Sequence, residues 1–141
     1  MSLMNSAYQN PNPTVLIIDD DPSATSLFKK ILTPKDYHVL ITHSSREGLE
    51  TIERVMLDLI ILDLLMPEID GWQLLRKIRK LTRTPILIIS ALDSSEIITK
   101  TLDMGADDYL VKPVTSTTLL AHVQSLVRRH QTEELALPEN N

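Results

Sequence analysis

Residues 15–24 of this sequence, VLIIDDDPSA, run four consecutive apolar residues directly into three aspartates and a proline. A short apolar run of this kind is typical of a strand that helices cover on both faces. Asp21 is a favourable helix N-cap, and Pro22 suits the first helical position. The stretch therefore predicts a buried strand followed at once by a helix. Capping accounts for Asp21, but it does not explain Asp19 and Asp20.

The same change from strand to helix pattern recurs along the chain. Apolar runs predict five strands, at residues 15–18, 37–42, 59–62, 85–90 and 109–111. Helical patterns follow them, including residues 44–55, 94–104, 115–129 and the segment PEIDGWQLLRKIRK at 67–80, in which RKIRK is expected to form an exposed helix face. Alternating strands and helices imply a parallel sheet with right-handed crossovers. We therefore predict a single doubly wound (βα)5 domain of the α/β class.

The composition excludes several classes of protein. The chain has 141 residues, enough for one domain, and 43% of them are hydrophobic, enough for a packed core. The absence of cysteine excludes a disulfide scaffold, cysteine-ligated zinc and thiol catalysis. A net charge of -5 without a basic stripe argues against direct binding of nucleic acid by this chain.

The sequence also suggests how the chain is organised. No apolar run is long enough to span a bilayer and the N-terminus lacks a signal-peptide pattern, so we expect no membrane contact and a cytoplasmic location. We expect residues 1–13 to be a disordered arm or an expression leader, 14–130 the folded domain, and 131–141 an acidic tail or truncated linker.

Polar side chains follow four of the five predicted strands. The three aspartates at 19–21 follow the first strand, Asp63 follows the third, Ser90 ends the fourth and Lys112 follows the fifth. Each has an ordinary structural explanation when taken alone, as a helix cap, a loop residue, a structural hydroxyl or a solvated charge. Because ligands bind at the carboxyl ends of the strands in sheets of this type, their joint occurrence predicts a site there.

The charges of this predicted site favour a divalent cation. Two carboxylates about 4 Å apart repel by roughly 4 kcal/mol at an effective dielectric constant of 20. Three carboxylates at one edge would therefore destabilise the fold unless one is protonated or a cation joins them. Oxygen ligands with positions left for water and phosphate suit Mg²⁺. Asp63 stands apart from the cluster and is the best candidate for a nucleophile that becomes an aspartyl phosphate.

Four motifs of the chain together resemble a known family. In order and spacing, VLIIDDDP, LIILDLLMPEIDG, PILIISA and GADDYLVKPV resemble the receiver domain of two-component response regulators, over about residues 14–129. The resemblance implies a flavodoxin-like, five-stranded parallel sheet in the order 2-1-3-4-5.

The resemblance also implies roles for individual residues. Asp63 matches the phosphoacceptor, and the matching Mg²⁺ ligands are Asp19, Asp20, Asp63 and the backbone carbonyl of Leu65. Ser90 matches the switch hydroxyl that follows the phosphoryl group, and Lys112 matches the lysine that contacts it. Tyr109 matches the aromatic residue whose ring turns inward on activation. The Lys112–Pro113 peptide bond is expected to be cis.

The implied function is that of a phosphorylation-activated signalling switch. A sensor histidine kinase or phosphotransfer protein would donate the phosphoryl group in a Mg²⁺-dependent reaction. The domain would catalyse only its own phosphorylation and dephosphorylation, and so would not be a turnover enzyme. Its fourth helix, fifth strand and fifth helix would form the face that changes. That face could regulate a fused or separate output domain, or mediate a homodimer.

The sequence departs from the family at several positions. Val114 replaces a common phenylalanine, and His122 replaces an arginine that many DNA-binding relatives use in a dimer contact, which argues against that dimer. Leu65 and Leu92 occupy two variable positions near the phosphoryl group. Because neither side chain can orient an attacking water, we expect a comparatively long-lived aspartyl phosphate.

Parts of the sequence also fit two alternative functions. A haloacid-dehalogenase-like phosphatase also uses an aspartate after its first strand, and DDDPS loosely matches its motif. However, its lysine should precede the later acidic pair, whereas Lys112 follows Asp107 and Asp108. The other alternative is a receiver-like module that binds partners without phosphorylation.

Overall fold

The structure, a computed structural model, describes residues 12–136. It comprises, in chain order, β1 (Thr14–Ile18), α1 (Pro22–Leu32), β2 (His38–Thr42), α2 (Ser45–Arg54), β3 (Leu59–Leu62), α3 (Gly71–Leu81), β4 (Ile86–Ser90), α4 (Ser95–Asp103), β5 (Asp108–Val111) and α5 (Ser116–Ala136). The five strands form one parallel sheet in the order β2-β1-β3-β4-β5. The predicted fold class and strand order are confirmed. Most of the predicted arm at 1–13, and residues 137–141 of the predicted tail, lie outside the described residues.

Helices cover both faces of the sheet. Successive side chains of a strand point to opposite faces, so Val15 and Ile17 of β1 join one apolar cluster while Leu16 and Ile18 join the other. The first cluster includes side chains of α1 and α5, and the second includes side chains of α2, α3 and α4. This two-sided burial explains why β1, β3 and β4 are continuous apolar runs.

The helices begin at polar capping residues. The Asp21 carboxylate accepts a hydrogen bond from Ser23 N at 2.9 Å, so the predicted cap of α1 is confirmed. Ser44, Asp70 and Ser94 cap α2, α3 and α4 in the same way. Gly105, just after α4, has φ 116°, a backbone conformation that favours glycine and ends the helix.

A short antiparallel hairpin between β3 and α3 was not predicted. Leu65–Met66 pairs with Ile69–Asp70, so Pro67 and Glu68 form the tip of the turn. Two-residue strands are too short to leave a periodic signal in the sequence. We refer to residues 65–70 as the hairpin.

The last helix is longer than predicted. It continues to Ala136, past the predicted end at Arg129, and so includes the first half of the predicted tail. The apolar pattern fades beyond Val127, but glutamine, glutamate, leucine and alanine are good helix formers. His130 and Glu134 also lie one turn apart with 3.5 Å between Nε2 and Oε1, a spacing that supports a helix.

The prediction that RKIRK forms an exposed helix face is wrong for Arg79. The Arg79 side chain is only 22% exposed and donates to the backbone carbonyls of Thr84 at 2.7 Å and Gly105 at 2.8 Å. It also pairs with the Asp107 carboxylate, which accepts a hydrogen bond from Ile86 N at 2.8 Å. Arg79 therefore ties the end of α3 to the loops that precede β4 and β5.

Between residues 12 and 136, none of the helices combines the length and the apolar character that crossing a membrane requires.

Candidate functional site

Three aspartate side chains meet at the carboxyl ends of β1 and β3. Carboxylate oxygens of Asp19, Asp20 and Asp63 all lie within 4.8 Å of one another. The sheet itself produces this arrangement, because β1 and β3 are neighbours and Asp63 N donates to Ile18 O at 3.1 Å. Asp19 is 2% exposed and Asp63 6% exposed, whereas Asp20 is half-buried. The predicted clustering of these aspartates is therefore present.

Lys112 brings a positive charge to the cluster from the end of β5. Its Nζ lies 3.0 Å from Asp19 Oδ2 and 3.2 Å from Asp63 Oδ2. Lys112 N donates to Ser90 O at 2.9 Å, which extends the pairing of β4 and β5. The Lys112–Pro113 peptide bond is cis, as expected from the resemblance.

Burial and neighbouring charges shift the ionisation of this cluster. Burial raises the pKa of Asp63, and the nearby Asp19 carboxylate adds to that effect; the backbone N–H of Leu65 and the Lys112 charge oppose it only in part. Burial alone would lower the pKa of Lys112, but hydrogen bonding and attraction to Asp19 and Asp63 outweigh it and raise that pKa. Lys112 is therefore charged at neutral pH, and ionised Asp63 is destabilised by its surroundings.

Backbone groups orient the two most buried carboxylates. Asp21 N donates to Asp19 Oδ1 at 3.0 Å, and Leu65 N donates to Asp63 Oδ1 at 3.0 Å. Each carboxylate thus has one oxygen held by a backbone N–H and the other facing Lys112. A fixed set of oxygen ligands of this kind favours Mg²⁺ over softer metal ions.

Ser90 and Tyr109 lie beside the cluster and share a neighbour. Ser90 is 0% exposed, and its Oγ accepts a hydrogen bond from Leu92 N at 3.3 Å. The Tyr109 hydroxyl donates to Leu92 O at 2.7 Å, and Tyr109 is 9% exposed. Burial raises the pKa of Tyr109. The Tyr109 side chain is therefore directed into the protein, and it holds the loop that follows β4.

Two residues near the site were not identified from the sequence. His43 Nδ1 lies 3.0 Å from the backbone oxygen of Asp19, and Glu68 Oε1 accepts a hydrogen bond from Ser45 N at 3.0 Å. His43 directly follows β2, so the rule that placed the other residues at strand ends could have indicated it. Glu68 carries no such signal, because its partner lies 23 residues away in the sequence.

The sequence matches one protein family over most of its length. Residues 15–124 match the response regulator receiver domain family. The chain is 36% identical over 121 residues to the response regulator ArlR of Staphylococcus aureus, and 34% identical over 121 residues to the transcriptional regulatory protein AfsQ1 of Streptomyces coelicolor. Each match covers 86% of this chain but only 55% of ArlR and 54% of AfsQ1. The chain therefore spans about half the length of these curated relatives.

Solved structures agree with this assignment. A CheY-like receiver domain protein from Methanospirillum hungatei aligns with a TM-score of 0.81 and 31% identity, covering 86% of this chain and 98% of that one. The receiver domain of a putative LuxO repressor from Vibrio parahaemolyticus aligns with a TM-score of 0.85 and 28% identity, covering 91% of this chain and 99% of the other. The aspartate cluster, the parallel sheet and these matches lead to one conclusion: this chain belongs to the family of response regulator receiver domains.

Proposed function

We propose that Asp63 accepts a phosphoryl group from the phosphohistidine of a sensor histidine kinase or phosphotransfer protein, and that the aspartyl phosphate switches the domain to an active form. One observation carries this proposal: a buried Asp63 carboxylate lies between two other aspartates and the Lys112 ammonium. Burial and the charge of Asp19 disfavour the ionised form of Asp63. A cation beside these carboxylates would relieve that unfavourable arrangement and would offset the further negative charge that an acyl phosphate brings.

The site fits Mg²⁺ by its donor chemistry. Asp19, Asp20, Asp63 and the backbone carbonyl of Leu65 would hold the ion. All four donors are oxygen atoms, and the site provides neither imidazole nor thiolate that would select a softer metal. When bound, the ion would supply positive charge to the phosphoryl oxygens and so offset their repulsion by the carboxylates.

The residues of the chain then act by positioning and by charge. An Asp63 oxygen forms the new bond to phosphorus while the bond from phosphorus to the donor nitrogen breaks, and the donor imidazole keeps that electron pair. Lys112 already lies 3.2 Å from Asp63 and would pair with one phosphoryl oxygen. Ser90 is the last residue of the neighbouring strand β4, and its hydroxyl would donate a hydrogen bond to another phosphoryl oxygen. These groups make the domain a catalyst of its own phosphorylation and dephosphorylation rather than a turnover enzyme.

The conformational response would pass through the loop after β4. Ser90 and Tyr109 both bond to the backbone of Leu92, so a shift of the Ser90 hydroxyl towards a phosphoryl group changes the contacts of Tyr109. We propose that α4, β5 and α5 form the face that partners read, whether a fused or a separate output domain. The proposal does not extend to a homodimer through this face, since His122 Nδ1 already contacts Asp108 Oδ2 at 2.5 Å within the same chain.

Family membership favours this function over the phosphatase alternative, because the match at 15–124 includes residues of all five strands of the sheet and all the proposed site residues. It also supports a cytoplasmic location.

The proposal is tested by measuring intact mass after incubation with acetyl phosphate and Mg²⁺. We expect a single phosphoryl adduct on the wild-type chain, and none on Asp63→Asn or in the absence of divalent metal. Folded wild-type protein without an adduct would contradict the proposal and favour a module that binds partners without phosphorylation. Continuous release of phosphate from generic phosphomonoesters would favour the phosphatase.

A further inference from the structure

The hairpin at 65–70 carries the proposed backbone ligand of the cation, and its base is rigidly held. Leu65 N donates to Asp63 Oδ1 at 3.0 Å, and Asp70 caps α3 by accepting from Trp72 N at 2.8 Å. Gly71 follows at once, and a Cβ there would lie 2.4 Å from Leu64 O, so α3 packs backbone against backbone at this point. Only a glycine permits this close approach. The base of the hairpin therefore has little freedom to move.

The tip of the hairpin is held by one side chain. Glu68 Oε1 accepts a hydrogen bond from Ser45 N, at the first residue of α2, at 3.0 Å. The N–H groups of a first helical turn have no partner within the helix. The Ser44 hydroxyl accepts a hydrogen bond from Glu47 N at 3.2 Å, and the N–H of Ser45 is therefore left to bond with Glu68. A carboxylate at a helix N-terminus is also favoured by the helix dipole.

The start of α2 is in turn attached to the other side of the cation site. His43, two residues before Ser45, places Nδ1 3.0 Å from the backbone oxygen of Asp19. The loop from β2 to α2 therefore contacts both the loop that carries Asp19 and, through Glu68, the hairpin that carries Leu65. Hydrogen bonds thus connect the loop after β1 to the loop after β2, and the loop after β2 to the loop after β3, around the aspartates.

From this geometry we infer that Glu68 is a positioning residue for the cation site: by fastening the hairpin tip to α2, it holds the Leu65 carbonyl at the distance from Asp19 and Asp20 that a shared cation requires. The inference rests on the proposed function, since Leu65 is a ligand only if the cation binds there. Glu68 would not touch the ion or the phosphoryl group. Its contribution would appear in metal affinity and not in the chemistry of transfer.

Three variants separate the hydrogen bond from its alternatives. Glu68→Ala removes the contact, whereas Glu68→Gln removes the charge but keeps an oxygen that can accept from Ser45 N. Glu47→Ala is the matched control. Glu47 is also a carboxylate at the start of α2; its Oε1 accepts from Ser44 Oγ at 3.3 Å and from His43 N at 3.5 Å, and it does not hold the hairpin. The probe is Mn²⁺ alone, whose free concentration is followed by electron paramagnetic resonance. Urea unfolding of each variant shows that it is folded.

We expect Glu68→Ala to bind Mn²⁺ about three- to tenfold more weakly than wild type. This loss is no larger than the smallest losses of metal affinity seen when a residue that directly orients a metal ligand is replaced. Glu68→Gln and Glu47→Ala should bind nearly as well as wild type. With saturating Mg²⁺, Glu68→Ala should still acquire the acetyl-phosphate adduct.

Three results would overturn the inference. Unchanged affinity in Glu68→Ala would show that the hairpin needs no anchor at its tip. Equal weakening in Glu68→Gln would assign the effect to charge, and equal weakening in Glu47→Ala would assign it to the stability of α2. If wild type itself neither bound Mn²⁺ nor formed the adduct, the proposed function would fail first, and this inference with it.

Discussion

Lys112 Nζ lies 3.2 Å from Oδ2 of Asp63, a residue that is only 6% exposed. The lysine ammonium thus compensates the same carboxylate that is proposed to react, and it also neighbours Asp19. Before phosphorylation Lys112 offsets part of the repulsion within the aspartate cluster, and afterwards it would pair with the phosphoryl group. Stability and function therefore depend on the same ion pair.

Replacement of Lys112 with methionine should destabilise the metal-free domain and strengthen its binding of Mg²⁺. Two buried carboxylates lose their counter-charge, so the free energy of unfolding should fall by about 2 kcal/mol, within the range for breaking a partly buried pair. Mg²⁺ no longer competes with an ammonium for the carboxylates and should restore more stability than it gives wild type. Urea unfolding with and without Mg²⁺ measures both effects. Lys35→Met, at an exposed site in the turn after α1, is the control. Unchanged stability in both conditions would contradict this account.

The lifetime of the aspartyl phosphate should depend on Leu65 and Leu92. Leu65 is exposed beside Asp63, and Leu92 follows Ser90 by two residues with its backbone held at both N and O. Neither side chain can hydrogen-bond a water for attack on phosphorus. Replacement of both with glutamine should accelerate phosphoryl loss by about tenfold, the modest end of what a positioned polar group contributes. The decay of the phosphorylated mass at fixed Mg²⁺ gives the rate. If the polar variant loses its phosphoryl group no faster, the apolar residues do not protect it.

Much of the fold could be predicted because its signals are local. β1, β3 and β4 are apolar throughout, and each ends in a residue whose polarity contrasts with the strand, as at Asp19, Asp63 and Ser90. Because the five strands of the sheet are parallel, these ends share one edge, and the cluster follows from chain order together with the topology.

The remaining features depend on partners that are remote in sequence. The sequence around Arg79 predicts a surface residue, because its partners Gly105 and Asp107 are far away in the sequence. The sequence around Glu68 predicts only a turn, because the N–H group that Glu68 accepts from belongs to α2. The extension of α5 to Ala136 escaped prediction for a different reason. Its residues form a helix by intrinsic propensity, without an apolar face that would mark it.

The ionisation of Tyr109 should make stability fall at alkaline pH. Burial raises its pKa above the ordinary value of 10.0, so between that value and its folded pKa the native state retains a proton that the unfolded chain has released. The native state binds more protons in this range, and the free energy of unfolding therefore decreases as pH rises through it. Lys112 acts in the same direction, since its pKa is also raised. The contribution of Tyr109 is consequently the difference between wild type and Tyr109→Phe.

That difference can be measured by urea unfolding at several pH values from neutral to about pH 11, just above the ordinary pKa of tyrosine. At neutral pH Tyr109→Phe should be less stable by about 1 kcal/mol, because Leu92 O loses its 2.7 Å donor. The deficit should shrink above pH 10, where wild type loses the advantage of a protonated Tyr109. A deficit that stays constant across the whole range would mean that Tyr109 titrates alike in folded and unfolded chains.

The last prediction concerns Arg79, which connects the end of α3 to the loops before β4 and β5. Its bonds go to the backbone carbonyls of Thr84 and Gly105 and to the Asp107 carboxylate. Arg79→Met keeps much of the apolar stem but leaves Thr84 O and Gly105 O without their donor, and leaves the Asp107 carboxylate without its positive partner. We expect the free energy of unfolding to fall by about 2–3 kcal/mol, as for other losses of a connected polar network. Arg76→Met, on the exposed side of the same helix, should change it by less than about 0.5 kcal/mol. Because the site residues keep their own contacts, the phosphoryl adduct should form on both folded variants. Equal stability losses in the two variants would show that Arg79 acts only as a surface charge and that its buried bonds contribute nothing.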